Sequence, residues 1–266
     1  MAFIQCDFAS DALGFAHSMN VILPQKSSSQ IGMDTAAGEG KHPTLYLLHG
    51  LSDDHTIWMR RTSIERYASA YGIAVVMPAV HRSFYTDMHQ GGKYWTFVSE
   101  ELPAIARSFF PLSDKREDNF VAGLSMGGYG AMKLGLRKPE MFAAAASLSG
   151  VMDIKSWIEE MDVEDEKRSA EFLRVFGPKG SEQRTHGDLF EAAKDVLASD
   201  GPKPMLYQAC GTEDFLYDHN TRFRDHLKTI GYDAVYEEDE GFGHSWDYWD
   251  MVIQRVLKWL PLKANA

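Results

Sequence analysis

The sequence predicts an α/β protein with a mostly parallel central sheet flanked by helices. Three observations carry that expectation. Short apolar runs, such as Leu45–Leu48, Ile73–Met77, Phe120–Ala122 and Phe142–Leu148, have the length and continuity of strands buried on both faces. Helix-period segments separate them, and several runs end directly in turn-rich loops. At 266 residues, 44% of them hydrophobic, the chain is long enough to bury one large core, so residues 1–266 are read as a single domain.

Along the chain, 2–8 and 18–23 read as two short strands forming an antiparallel pair at a sheet edge, ended by Pro24. Residues 25–42, rich in Ser, Gly and Ala, read as a surface loop. Thr44–Leu48 is the first fully buried strand and leads into His49-Gly50-Leu51. Ser63 caps a helix over 63–71, which ends at Gly72, and Ile73–Met77 is the next strand, closed by Pro78. A loop over 81–92, carrying Phe84 and Tyr85, precedes an amphipathic helix over 94–110 with Phe97, Leu102, Ile105 and Phe109 on its apolar side. Pro103 inside that pattern predicts a late start or a kink. After Phe142–Leu148, the sixth strand, residues 153–199 interrupt the alternation as a helical, lid-like insertion. Its stripe is Ile154, Trp157, Ile158 and Met161, and the run Glu164-Asp165-Glu166 reads as a solvated face. Strands at Met205–Ala209 and Ala234–Tyr236 and helices at 215–230 and 246–260 complete the pattern.

Composition narrows the function classes. A net charge of −11 and a pI near 5.3 argue against nucleic acid or an anionic membrane as partner, which leaves a small-molecule substrate and leaves a homo-oligomer open. Cys6 and Cys210 are far apart and lack metal-ligand spacing, so they read as reduced thiols. His81 and His89 have no carboxylate or cysteine at ligand spacing and read as loop histidines, and no metal or cofactor is expected. The N-terminal residues carry no basic and apolar leader pattern, and no apolar run could span a bilayer. A cytoplasmic location is therefore expected.

The chemistry centres on Gly123-Leu124-Ser125-Met126-Gly127, a Gly-x-Ser-x-Gly pentapeptide between a strand and a helix. That context turns the serine into an exposed nucleophile, and a Cβ at either glycine would strike the neighbouring strand or helix. Met126 N–H, at the helix start, and Leu51 N–H, in the loop after the first buried strand, are the expected oxyanion donors. Asp214, just past the Met205–Ala209 strand, is the expected orienting acid, with Glu213 and Asp218 as rivals, and His244 is the base. Ser149 lacks the glycine bracket and is rejected as nucleophile. The order Ser125, Asp214, His244 is that of α/β-hydrolases and differs from the two other serine-protease orders. His49, Tyr85, Trp157 and Phe215 are the expected pocket residues, Trp157 being equally consistent with a packing role.

These motifs also carry a resemblance. Leu47–Ser52, Val76–Pro78, Ser99–Pro103, Gly123–Gly130, Cys210–Tyr217 and Gly243–Trp249 resemble the tributyrin esterase group, relatives of esterase D, S-formylglutathione hydrolase and the antigen 85 mycolyltransferases. The resemblance implies a serine carboxylesterase acting on short-chain acyl esters, acetyl to butyryl, extending to acetylated sugars and simple phenolic esters. It also favours Asp214 over Glu213. A thioesterase of the S-formylglutathione hydrolase type is the alternative, although Ala79–Tyr85 stands where those enzymes carry a Trp-Asp-Phe-Gly-type segment. A non-catalytic hydrolase fold used for binding is the remote one.

Overall fold

A computed structural model describes residues 1–27, 31, 32, 36, 38, 40–164 and 166–262, leaving outside that description the side chains of 161–164, 166 and 168. Its eight strands form one sheet: β1 (Ala2–Ser10), β2 (Phe15–Leu23), β3 (Thr44–Leu48), β4 (Ala74–Pro78), β5 (Asn119–Leu124), β6 (Ala144–Leu148), β7 (Met205–Gly211) and β8 (Ala234–Asp239), in the order β1-β2-β4-β3-β5-β6-β7-β8. The β1–β2 and β2–β4 pairs are antiparallel, and every pair from β4 to β8 is parallel. This is the α/β-hydrolase arrangement, with the antiparallel edge pair where the sequence places it.

The wholly apolar strands are explained by their two covered faces. In β3, Leu45 and Leu47 face one core, with Ile64 and Ala68 of α2 (Ile64–Tyr71) and the apolar stripe of α11 (Trp246–Trp259). Tyr46 and Leu48 face the other, with α5 (Met126–Arg137). Side chains alternating at period 2 supply both cores from one strand. Register sets the site: Leu48 pairs with Gly123, Leu124 with Leu148, and Leu148 with Ala209. The loops after β3, β5, β6 and β7 therefore leave along one carboxyl edge, where open α/β sheets bind their ligands.

Local details depart from the sequence reading. Ser63 stands at the N-cap of α2 but makes no side-chain cap, and the Thr62 hydroxyl accepts from the Ile64 N–H instead, at 3.1 Å. The stretch 94–110 is broken into α3 (Tyr94–Thr96), a π-helical turn (Phe97–Glu101) and α4 (Leu102–Phe109). The wide turn releases the hydrogen bond that Pro103 cannot donate and places proline at the start of α4, where its missing N–H costs little. The change of phase turns Phe109 out, 56% exposed, so it does not join the apolar side. Between β6 and β7 run α6 (Ile154–Glu164), α7 (Glu166–Phe176), α8 (Glu182–Gly187) and α9 (Leu189–Ala198). Ile154 and Ile158 are buried, whereas the assignments of the Met161 and 164–166 side chains, like much of the 25–42 loop, lie outside what the structure describes. Among the described residues no helix is long and apolar enough to cross a membrane, and no cluster of potential metal ligands occurs.

Among the described residues, one lysine side chain lies wholly inside. Lys133, on α5, is 0% exposed, donates to the Tyr85 carbonyl at 3.0 Å and the Thr86 hydroxyl at 2.8 Å, and rests over the rings of Trp95 and Tyr129. Burial pulls its pKa down to about 7, with Asp87 opposing and Arg137 adding to the shift. His186, across from it on α8, is lowered to about 4 by burial and then by Lys133, so it is neutral in the range that matters. A lysine is ordinarily half-protonated near ~10.4, so between about pH 7 and that value the unfolded chain holds more protons than the folded one. The Lys133 contribution to stability is therefore fully present only above that upper value and is lost as pH falls through about 7. Urea midpoints for wild type and Lys133→Met, taken at about pH 6.5 and about pH 9.5, should diverge in this sense, with wild type gaining more on the alkaline side. Parallel curves would count against it.

Candidate active site

The site grows from the β5–α5 turn. Ser125 is the N-cap of α5 at φ 53° and ψ −119°, a conformation that L residues avoid. The turn is tight because its glycines have no room to be anything else. A Cβ on Gly123 would overlap the Gly127 carbonyl, and one on Gly127 would overlap the Leu48 carbonyl. The start of α5 is thereby pressed against the end of β3, and the Ser125 N–H is held by the Leu148 carbonyl at 2.9 Å. Met126 is the first helical residue, so its N–H has no acceptor within the helix and lies at the positive end of the helix dipole.

Two further loops converge on the serine. His244 Nε2 lies 3.0 Å from Ser125 Oγ, and its Nδ1 lies 2.9 and 3.1 Å from the two oxygens of Asp214. A carboxylate only accepts, so the imidazole proton sits on Nδ1 and Nε2 is free to accept from the serine hydroxyl. The Asp214 side chain is fully buried, and its Oδ1 also accepts from the Leu216 N–H at 2.9 Å. Glu213 and Asp218 face solvent instead. The acid and histidine loops are stitched together: a Cβ on Gly211 would overlap the Phe242 carbonyl, and that carbonyl accepts from the Glu213 N–H at 3.0 Å. The His244 ring sits between Phe215 and Trp249, with centroids 4.5 and 4.8 Å away. Ser149 is buried and receives the Trp249 indole N–H at 3.1 Å, which removes it from the chemistry.

A cleft of about 450 Å³ opens over Ser125, with Leu51, Met126, Trp157, Phe215 and Trp246 among its walls. Residues 10–260 match the Esterase family model, whose description reads "Putative esterase". The chain belongs to the Esterase family. It is a carboxylic ester hydrolase by that membership, and its similarities run along nearly its full length. It is 34% identical over 267 residues to an acetyl esterase of Caldicellulosiruptor saccharolyticus, covering 98% of each chain. Among solved structures it resembles the substrate-bound fluorophosphonate-binding serine hydrolase F of Staphylococcus aureus, with 36% identity, a TM-score of 0.84 and 97% and 98% of the two chains covered. An S-formylglutathione hydrolase apoenzyme of the same organism gives 36% identity and a TM-score of 0.81 over the same shares.

In this esterase the expected pocket residues divide. Trp157 and Phe215 line the cleft and stack on each other at 6.0 Å. His49 and Tyr85 do not line it, which corrects the sequence reading. His49 is 1% exposed, accepts from the Val80 N–H through Nε2 at 3.0 Å and donates from Nδ1 to the Gly50 carbonyl at 2.7 Å. Burial lowers its pKa to about 4, so it stays neutral. Tyr85 is fully buried because Gly130 leaves a gap in α5 that its ring fills. The adjacent ring, Phe84, reaches the cleft instead. Arg82 and Asp53 also line the cleft and were not singled out from sequence. Arg82 is paired through Nε and Nη2 with the two carboxylate oxygens of Glu171 on α7, the Nη2–Oε2 contact being 2.7 Å, a partnership that nothing in the local sequence signals. Burial, and then the neighbouring Asp54, holds the Asp53 carboxyl above its usual range.

Proposed function

We propose that this esterase hydrolyses short-chain acyl esters through an acyl-enzyme on Ser125, with His244 as base, Asp214 as orienting acid, and the Leu51 and Met126 N–H groups as oxyanion donors. The observation that carries this reading is the unbroken hydrogen-bonded chain from Ser125 Oγ through His244 to the buried Asp214. As Oγ bonds to the acyl carbon, its proton passes to Nε2. The carbonyl oxygen becomes an oxyanion, for which each donor is worth about 3 kcal/mol. Collapse expels the alcohol, which takes the proton from His244. Water then repeats the sequence on the acyl-enzyme and releases the acid, with no metal or cofactor in any step.

The substrate class rests on the walls. A cleft of about 450 Å³ faced by Phe84, Val151, Trp157 and Phe215 suits a small apolar acyl group, and similarity to an acetyl esterase points the same way. In this reading the 153–199 insertion acts as a cap whose Trp157 sets acyl length. A thioesterase reading is favoured by one observation, the similarity to an S-formylglutathione hydrolase structure. A panel of p-nitrophenyl acetate, butyrate and octanoate beside S-formylglutathione separates the two, with kcat/KM expected to peak at acetate or butyrate. A kcat/KM for S-formylglutathione exceeding that of every oxygen ester would reassign the substrate. Stoichiometric labelling of Ser125 by a fluorophosphonate is expected, and its absence would favour a non-catalytic binding role.

A further inference from the structure

The oxyanion loop is held from outside by an arrangement that the acyl-transfer chemistry does not itself use. Three consecutive carbonyls of that loop are each engaged by a side chain. The His49 carbonyl accepts from the Tyr85 hydroxyl at 2.9 Å, the Gly50 carbonyl from His49 Nδ1 at 2.7 Å, and the Leu51 carbonyl from Arg82 at 3.4 Å. The middle bond matters most. A trans peptide points its C=O and the next N–H in opposite directions, so fixing the Gly50 carbonyl fixes where the Leu51 N–H is aimed. His49 can donate that bond only while its Nε2 is the acceptor, and the Val80 N–H enforces this at 3.0 Å.

Val80, Arg82 and Tyr85 all belong to the turn after β4, which is a strained support. His81, Phe84 and Tyr85 each have φ near 51°, a region that bulky L residues adopt only under constraint. Lys133 Nζ ties this turn to α5, donating to the Tyr85 carbonyl and the Thr86 hydroxyl. Lys133 and Ser125 share α5, Ser125 at its N-cap and Lys133 two turns along. The nucleophile and the oxyanion loop are therefore registered to one rigid helix, once through Gly127 against the Leu48 carbonyl and again through Lys133, Tyr85 and His49.

We propose that Tyr85 and Lys133 are positioning residues that hold the oxyanion loop in register with Ser125, through the bonds Lys133 Nζ to Tyr85 O and Tyr85 OH to His49 O. This rests on the reading of Leu51 N–H as an oxyanion donor. A misplacement of about 1 Å at a reacting group is enough to cost ~10²-fold, so a brace two bonds removed from the substrate matters kinetically.

The test compares ester and thionoester hydrolysis, because a thiocarbonyl sulfur accepts hydrogen bonds poorly and gains little from an intact oxyanion hole. Wild type, Tyr85→Phe, Lys133→Met and the double variant are assayed on p-nitrophenyl acetate and its thiono analogue, with thermal melts alongside. Each single variant should lose roughly 10-fold in kcat with KM within about 2-fold, a fraction of the ~10²–10³ that removal of an oxyanion donor costs. The ester-to-thionoester ratio should fall by a similar factor. The double variant should be little worse than the poorer single one, since both substitutions break one brace. Lower melting temperatures with unchanged ratios would overturn the proposal and leave both residues as packing groups. If Lys133→Met does not fold, Tyr85→Phe, which removes a single oxygen, decides alone. A wild-type ratio no larger than that of hydroxide would instead overturn the oxyanion reading, and this proposal with it.

Discussion

Ser125→Ala is expected to lower kcat for p-nitrophenyl acetate by about 10⁵–10⁶-fold, the scale seen when a serine nucleophile is removed from a complete triad. Alanine keeps the Cβ, so the backbone at φ 53° is no more strained than before, and the N–H bond to the Leu148 carbonyl is unaffected. The bond lost is that from Oγ to His244 Nε2. One partly buried hydroxyl contributes about 1 kcal/mol, so the variant should fold and melt close to wild type. The Met126 and Leu51 N–H groups remain, and they should support a residual rate above that of water, by up to ~10³–10⁴ in comparable sites. KM should stay within a few-fold, because the apolar walls at Trp157 and Phe215 are untouched. Steady-state kinetics corrected for contaminating activity by fluorophosphonate titration is the measurement. A variant retaining more than about 1% of wild-type kcat would remove Ser125 from the role of nucleophile.

A residue's role is legible in the sequence where the constraint on it is local. Gly123 and Gly127 are legible because the turn they make is five residues long and its steric needs are written within it. The strands are legible because a run such as Leu45–Leu48 has one plausible environment, a sheet covered on both sides. The convergence of Ser125, Asp214 and His244 is legible from order alone, since each follows a strand in a sheet whose topology is fixed by chirality and connection rules. The pocket is different. Whether Tyr85 or Phe84 faces the cleft depends on Gly130, forty-five residues on, which leaves a gap that the tyrosine ring fills. His49 follows a buried strand, yet the Val80 N–H and the Gly50 carbonyl claim both ring nitrogens and keep it from the cleft. Arg82 has no local signature because its partner Glu171 is on a helix of the insertion. The π-helical turn before Pro103 follows the same rule, since proline announces a break but not which turn relaxes to absorb it.

Asp214→Asn is expected to lower kcat by about 10⁴-fold at neutral pH while leaving the fold intact. The magnitude follows from which way the new amide must face. Asp214 Oδ1 accepts from the Leu216 N–H at 2.9 Å, so the asparagine oxygen is obliged to stay there and its NH₂ replaces Oδ2, 2.9 Å from His244 Nδ1. An NH₂ donates. The imidazole must then accept at Nδ1 and carry its proton on Nε2, the nitrogen that has to receive the serine proton. The base is not displaced but is held in the wrong tautomer, and the imidazolium formed during attack loses its neighbouring negative charge. Steady-state kinetics on p-nitrophenyl acetate for Asp214→Asn, Glu213→Gln and Asp218→Asn puts the three carboxylates side by side. Glu213 and Asp218 are exposed, and the His244 Nδ1 bonds go to Asp214, so their amides should stay within about 2-fold of wild type. A loss at Glu213→Gln equal to that at Asp214→Asn, or a loss at Asp214→Asn below ~10-fold, would mean that the buried carboxylate beside His244 does not orient it in the reaction.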